Sequence, residues 1–310
     1  MRRLPTISPA GYRRITGAAL VALVFIIVTG GAVRLTGSGL GCSDWPGCER
    51  DRFVASLELH PMVEFVNRMI TGLVSVAVAL AVLGSVKRAP RRRDLTLLSL
   101  GLVAGVLGQV LLGRLTVVFD LAPQLVMGHL LLSLVLIATA LVLHHRAGEA
   151  NAPAVPVVSE RARLLARMLV PALSIAVVTG TVVTATGPHG GDEDARRFGF
   201  AIETVARVHS GAVIAFLVLV LAFLRQASRD RAPAGVVQRG RELLGVACAQ
   251  AAVGWIQYFT DVPVLLVGIH ILGASLVWLA TWRVVLGCRV RGAEPSPGPN
   301  APATAMAVAS

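Results

Sequence analysis

The sequence predicts an all-α integral membrane protein: eight transmembrane helices in two tandem, pseudo-symmetric four-helix bundles, with both termini cytoplasmic. Three observations predict it. The 310 residues are 55% hydrophobic, with a mean hydropathy of +0.73, too apolar for an ordinary soluble domain. Eight apolar runs are long enough to cross a bilayer, at about 15–35, 62–86, 95–117, 124–143, 166–186, 203–224, 242–260 and 263–286. Two segments that carry polar residues recur later in the chain in the same order.

The first run follows a basic flank (Arg2, Arg3, Arg13, Arg14), and no small-residue cleavage site follows it, so it reads as a retained span. The second opens on LHPMVEFVNRMITG, with Glu64, Asn67 and Arg68 in a segment otherwise bound for lipid. Ionisable groups at that depth usually face a protein interior and have a task there. Basic residues follow the even-numbered runs and precede the odd ones. With the N-terminus inside, 21 of the 29 Lys and Arg residues fall on the cytoplasmic side, and only Arg50, Arg52, Arg196 and Arg197 lie in opposite loops. The net charge of +12 therefore reports orientation in a membrane and implies no nucleic-acid partner. His144 and His145, beside Arg146, read as part of a solvated basic connection. Prolines 46, 61, 90, 123, 171, 188 and 263 fall mostly at run ends, which argues against the broken mid-membrane helices of a transporter.

The repeat organises the chain. QVLLGRLTVVFDLAPQLVMGHLLL from Gln109 aligns without a gap on QAAVGWIQYFTDVPVLLVGIHILG from Gln250, matching Gln109/Gln250, Gly113/Gly254, Asp120/Asp261 and His129/His270. VTGGAVRLTGSGLG from Val28 aligns on VTGTVVTATGPHGG from Val178. The implied division is a first bundle over 1–143, a cytoplasmic linker over 144–165, a second bundle over 166–290 and a disordered Pro/Ala-rich tail over 291–310.

His209 and His270 lie at similar depth on two helices of the second bundle. Imidazole is a standard axial ligand of haem iron, and bundle interiors hold such cofactors. The other reading is an interhelical hydrogen bond by each ring. His129 repeats the His270 position, whereas the position matching His209 is Asn67, so the first bundle has one strong ligand where the second has two. His60 is a weak substitute, about 10 Å further out along the same helix. Cys42 and Cys48 lie in the first outer loop, where a disulfide or reactive thiol exchange is chemically permitted. Glu64 suits proton transfer or the steadying of positive charge; pairing with Arg68 four residues on is the structural alternative. Arg34, Arg68, Arg114 and Arg207, near outer helix ends, are candidates for binding carboxylates of a cofactor.

Taken together, TGGAVRLTGSGLGCSDWPGC, E-x-x-N-R at 64–68, GH at 128–129, VH at 208–209 and IH at 269–270 resemble haem A synthase over roughly residues 15–286. That resemblance implies an oxidoreductase that converts a methyl group of haem O to a formyl group, giving haem A for cytochrome oxidase. It implies haem b on His209 and His270, substrate haem O in the first half at His129, a catalytic Glu64 and a Cys42–Cys48 disulfide. Asn67 departs from the family's usual E-x-x-H-R and puts a second ligand there in doubt. The implied partners are haem O, a haem O synthase and an electron acceptor or donor. The implied location is a bacterial plasma membrane with the cysteine loop outside. The competing reading is a cytochrome b-like electron-transfer subunit, which shares the histidine pairs without needing Glu64.

Overall fold

The computed structural model describes residues 6–42, 44, 47–49 and 54–292; within them the chain forms eight long helices. These are α1 (Pro9–Leu35), α2 (Leu59–Lys87), α3 (Arg93–Val118), α4 (Pro123–Ala147), α5 (Glu160–Thr186), α6 (Ile202–Arg229), α7 (Ala234–Phe259) and α8 (Val264–Gly287). At 24 to 29 residues they are about 36–44 Å long, more than the ~30 Å hydrocarbon core requires. Most extend beyond the apolar runs because the flanking basic turns stay helical; arginine is a good helix former. Seven are long and apolar enough to cross a membrane, and the chain is a multi-pass membrane protein. The exception is α7, whose Gln238, Arg239, Arg241, Glu242, Gln250 and Gln257 dilute its apolar content.

Local chemistry sets the ends. Ser8 caps α1 by accepting from the amide of Gly11 at 3.1 Å, with Pro9 in the first turn, and Ser159 caps α5 by accepting from Ala162 at 3.2 Å. The α3–α4 and α7–α8 turns close alike. Asp120 and Leu121 take φ of 48° and 55°, Asp261 and Val262 58° and 57°. In each, the second residue's amide reaches back to a carbonyl of the last helical turn, Leu121 to Thr116 and Val262 to Gln257, both at 2.8 Å. Pro171 lies inside α5.

Each set of four helices closes in a ring: α1 packs on α2 and α4, and α3 on α2 and α4; α5 packs on α6 and α8, and α7 on α6 and α8. Among the described residues, the diagonal pairs α2/α4 and α6/α8 have no Cα atoms within 8 Å of each other, which leaves the space between them to side chains. The rings join through α1–α8, α4–α8 and α4–α5. There the buried indole of Trp278 donates to the Leu134 carbonyl at 2.8 Å. Buried alanines such as Ala19, Ala81, Ala140, Ala166, Ala176 and Ala227 let helices approach closely. Large apolar residues such as Phe25, Leu73, Leu107, Ile175 and Val218 point outward, as a lipid-facing surface requires.

One feature lies outside an all-helical expectation. The connection after α4 carries β1 (Ala154–Pro156), which pairs antiparallel with β2 (Arg289–Arg291) just beyond α8. Ordered structure thus occupies part of the expected linker and the first residue of the expected tail; residues 293–310 of that tail lie outside the described residues. His144 is not simply solvated: its Nδ1 lies 3.2 Å from the hydroxyl of the fully buried Thr16.

Candidate functional site

In the second ring, His209 projects from α6 and His270 from α8, the diagonal pair. His209 Nδ1 sits 2.9 Å from the Ala176 carbonyl and 3.2 Å from the Thr179 hydroxyl. A carbonyl only accepts, so Nδ1 carries the proton and Nε2 keeps its lone pair. Gly180 makes room: a Cβ there would stand 2.9 Å from the imidazole Cε1. Gly254 does the same for His270, at 3.0 Å. The Gln250 side chain donates to the His270 carbonyl at 2.8 Å and locks the helix beneath that ring. His270 Nδ1 is buried without a hydrogen-bond partner. An orphaned buried nitrogen costs about 1–3 kcal/mol.

The first ring has corresponding contacts with one group changed. Gln109 donates to the His129 carbonyl at 3.0 Å, Gly113 faces the His129 ring, and His129 Nδ1 is also buried without a partner. Across the ring on α2, the Thr29 hydroxyl donates to Asn67 Oδ1 at 2.8 Å, where Thr179 meets His209. Gly30 follows Thr29 as Gly180 follows Thr179, yet a Cβ on Gly30 would meet nothing within 4 Å. The shorter amide leaves that space open. His60 is not brought to it: it is exposed in the first turn of α2, with Nδ1 3.1 Å from the Ser38 hydroxyl.

One turn outward from Asn67, Glu64 is 6% exposed. Its Oε2 accepts from the Cys42 amide at 2.8 Å and its Oε1 from the Arg68 guanidinium at 2.6 Å. Arg68 also donates to the carbonyls of Asp44, at 2.9 Å, and Gly47. Cys42 and Cys48 form a disulfide, and the Asp44 amide bonds back to the Cys48 carbonyl at 3.1 Å. The carboxylate therefore ties α2 to the cysteine loop, together with the Arg68 guanidinium. The Arg68 pairing that the sequence leaves open does form.

A family described as "cytochrome oxidase assembly protein" matches residues 13–59 and 54–188, more than half of the chain, from the first turns of α1 to the end of α5. The chain belongs to this family. Proteins named heme A synthase are similar to it. The one from Bacillus pumilus is 36% identical over 133 residues, 42% of this chain and 43% of that protein. The one from Bacillus licheniformis is 32% identical over 124 residues, 40% and 41%. The one from Exiguobacterium sibiricum is 27% identical over 170 residues, 53% and 56%. The chain thus spans about two fifths to just over half the length of these relatives.

In this chain the four arginines part company. Arg34 donates to the carbonyls of His189 at 2.7 Å and Thr184 at 3.0 Å, tying α1 to the loop after α5. His189 in turn donates from Nε2 to the Val262 carbonyl at 2.8 Å. Arg68 belongs to the cysteine loop, while Arg114 and Arg207 are exposed near the same end of the molecule. Among the described residues, no three of His, Cys, Asp and Glu gather around a bare metal ion. The imidazoles that could ligate come instead as singles on diagonal helices, an arrangement suited to a flat macrocycle bound from its two faces. Sequence reasoning missed Thr29, Thr179, Gly30 and Gly180 as site residues, although the V-T-G repeat was in view.

Proposed function

We propose that the chain is a haem A synthase, oxidising a methyl group of haem O to a formyl group. In this reading His209 and His270 hold haem b in the second ring and His129 holds substrate haem O in the first. The observation that carries it is the pair of diagonal sites, each with a hydroxyl, a glutamine and glycines around its ligand positions, differing at Asn67. The residues fit the group: the buried imidazoles stand on diagonal helices that do not pack on each other, and glycines of the neighbouring helices clear the space beside the rings. Haem b, when bound, supplies a one-electron redox centre. The chain's own residues orient and insulate. Thr179 and the Ala176 carbonyl fix the tautomer of His209, Gln250 and Gln109 fix the helices under His270 and His129, and Thr29 holds Asn67 aside.

Glu64 serves as the reactive carboxylate of the substrate half. It lies on the same face of α2 as Asn67, and Arg68 and the Cys42 amide aim it. A negative charge held there steadies positive charge that develops at the methyl carbon as it is oxidised. The two rings correspond to tandem repeats over 1–143 and 166–290. All eight helices, α7 included, cross the membrane, with both termini on the arginine-rich cytoplasmic side and the cysteine loop outside. A haem O synthase supplies the substrate; water supplies the formyl oxygen, and an electron carrier takes up the electrons released together with the protons of the methyl group and the water.

The test is co-expression with a haem O synthase, followed by haem extraction. Haem A or hydroxylated haem O accumulates if the reading is right. A membrane fraction that holds the folded protein, contains haem O and yields neither product refutes it and leaves the electron-transfer alternative.

A further inference from the structure

At the end of the molecule opposite the cysteine loop, the seam between the rings opens into a cavity of about 270 Å³. The end of α4, the start of α5 and the β1–β2 pair wall it. Five arginines line it: Arg146, Arg163, Arg167, Arg289 and Arg291. Among the described residues one carboxylate lines it, Glu149, and that is shared between Arg291 Nε at 3.5 Å and His145 Nε2 at 3.4 Å. The other nearby acids do little to balance the rest. Asp94 is 3.8 Å from Arg146 but is held by Arg92 at 2.7 Å, and Glu160, 3.9 Å from Arg163, is 92% exposed. Among the described residues, Arg167 and Arg289 have no ion pair.

A second, more open concavity of about 410 Å³ adjoins the first, sharing Arg163 and Arg167 and adding Arg161. Its wall includes Leu164, an exposed apolar residue on α5 beside the guanidinium groups. Loops on the basic side of a membrane protein need arginines, but they need not be concave or place five guanidinium groups around one space. Like charges that converge in a recess repel one another unless an anion joins them, and guanidinium forks match phosphate oxygens bidentately.

We propose that this cavity binds a phosphate group, carried by an anionic phospholipid headgroup or free in solution, and so fastens the two rings together at their basic end. An occupant there bridges α4 of the first ring, α5 of the second and the β1–β2 pair.

The test uses the full-length protein purified in a neutral detergent, with thermal unfolding and a binding titration as readouts. Short-chain phosphatidylglycerol, phosphatidylcholine and inorganic phosphate are the probes. Phosphatidylglycerol raises the unfolding temperature and phosphatidylcholine does not. If inorganic phosphate reproduces the shift and competes, the source is free phosphate; if it does neither, the source is the lipid. The double variant Arg167→Gln/Arg289→Gln, which breaks no ion pair seen here, weakens binding about tenfold. Arg225→Gln/Arg229→Gln, exposed on α6 away from the cavity, leaves it unchanged. The proposal is overturned if neither phosphatidylglycerol nor phosphate shifts the wild-type protein, or if the two double variants lose affinity equally.

Discussion

Replacing Asn67 with histidine should install the imidazole that the first ring lacks, and the surroundings are already arranged for it. In the second ring, His209 needs an acceptor carbonyl, a hydroxyl and a glycine: Ala176, Thr179 and Gly180. At the corresponding places stand Ile26, whose carbonyl lies 3.2 Å from the Thr29 hydroxyl, then Thr29 itself and Gly30 with nothing over it. The substitution gives up one neutral hydrogen bond, from Thr29 to Asn67, and gains one from Nδ1–H to the Ile26 carbonyl. Each contributes about 1 kcal/mol, so stability should change by less than about 1 kcal/mol in either direction.

What changes is ligation. With His129 opposite, Asn67→His gives the first ring the same ligand pair as the second. Purified protein from haem-replete cells should then carry more haem per chain, with a larger low-spin absorbance, while haem A output falls. Adding Thr29→Val removes the group that orients the new ring and should weaken haem retention about tenfold, the low end for loss of a partner that orients a ligand. The reasoning is refuted if Asn67→His folds normally but gains no low-spin haem, or if Asn67→Gln gains as much.

Glu64→Gln keeps the volume and loses the charge. Product formation should disappear while the low-spin spectrum stays, at a stability loss of about 1–3 kcal/mol from the weakened tie to Arg68; loss of that spectrum would make Glu64 structural, read by haem extraction beside absorbance. Trp278→Phe leaves the buried Leu134 carbonyl without its indole donor and should lower stability by about 1–3 kcal/mol in thermal unfolding, with haem content unchanged. Burial pushes the Cys288 thiol from its ordinary 9.0 up to about 11. The folded protein holds that proton more tightly than the unfolded chain, so this contribution to stability is intact below pH 9 and fades between pH 9 and 11. Maleimide at pH 9 should therefore leave Cys288 unlabelled until the protein is unfolded; rapid labelling of the native state would contradict the burial.

The helices were legible because a bilayer demands runs of apolar residues, and such runs stand out in any sequence. Their ends were less so. Apolarity marks only the hydrocarbon-spanning part, whereas α2 begins at Leu59 and α6 continues to Arg229 on polar turns. The three-residue pairing of β1 with β2 left no pattern at all, since it joins segments 135 residues apart through backbone groups. In the candidate site the histidines were legible by residue type and depth. Thr29 and Thr179 were visible only as repeated letters, because what a hydroxyl does depends on the helix it faces. The Glu64–Arg68 pair could be anticipated from its four-residue spacing; the Cys42 amide as the carboxylate's second partner could not, since loop backbone has no signature in sequence.

The difference between the rings bears on which one does chemistry. Aligning Asn67 with His209 places Glu64 opposite Ala206 and Arg68 opposite Ser210, so the second ring has neither the carboxylate nor its guanidinium. It has instead an imidazole on each diagonal helix, one of them fixed by two hydrogen bonds at Nδ1. A site whose ligand positions are both imidazoles favours a stable redox centre over a reacting one, because no position is left for exchange. The first ring has the reverse: one imidazole, an amide held away by Thr29, open space over Gly30 and a buried carboxylate one turn outward. The disulfide loop belongs to this side as well, bound to that carboxylate through the Cys42 amide. Under the proposed function, reaction in the first ring and electron storage in the second is the division that places each group where its chemistry is of use.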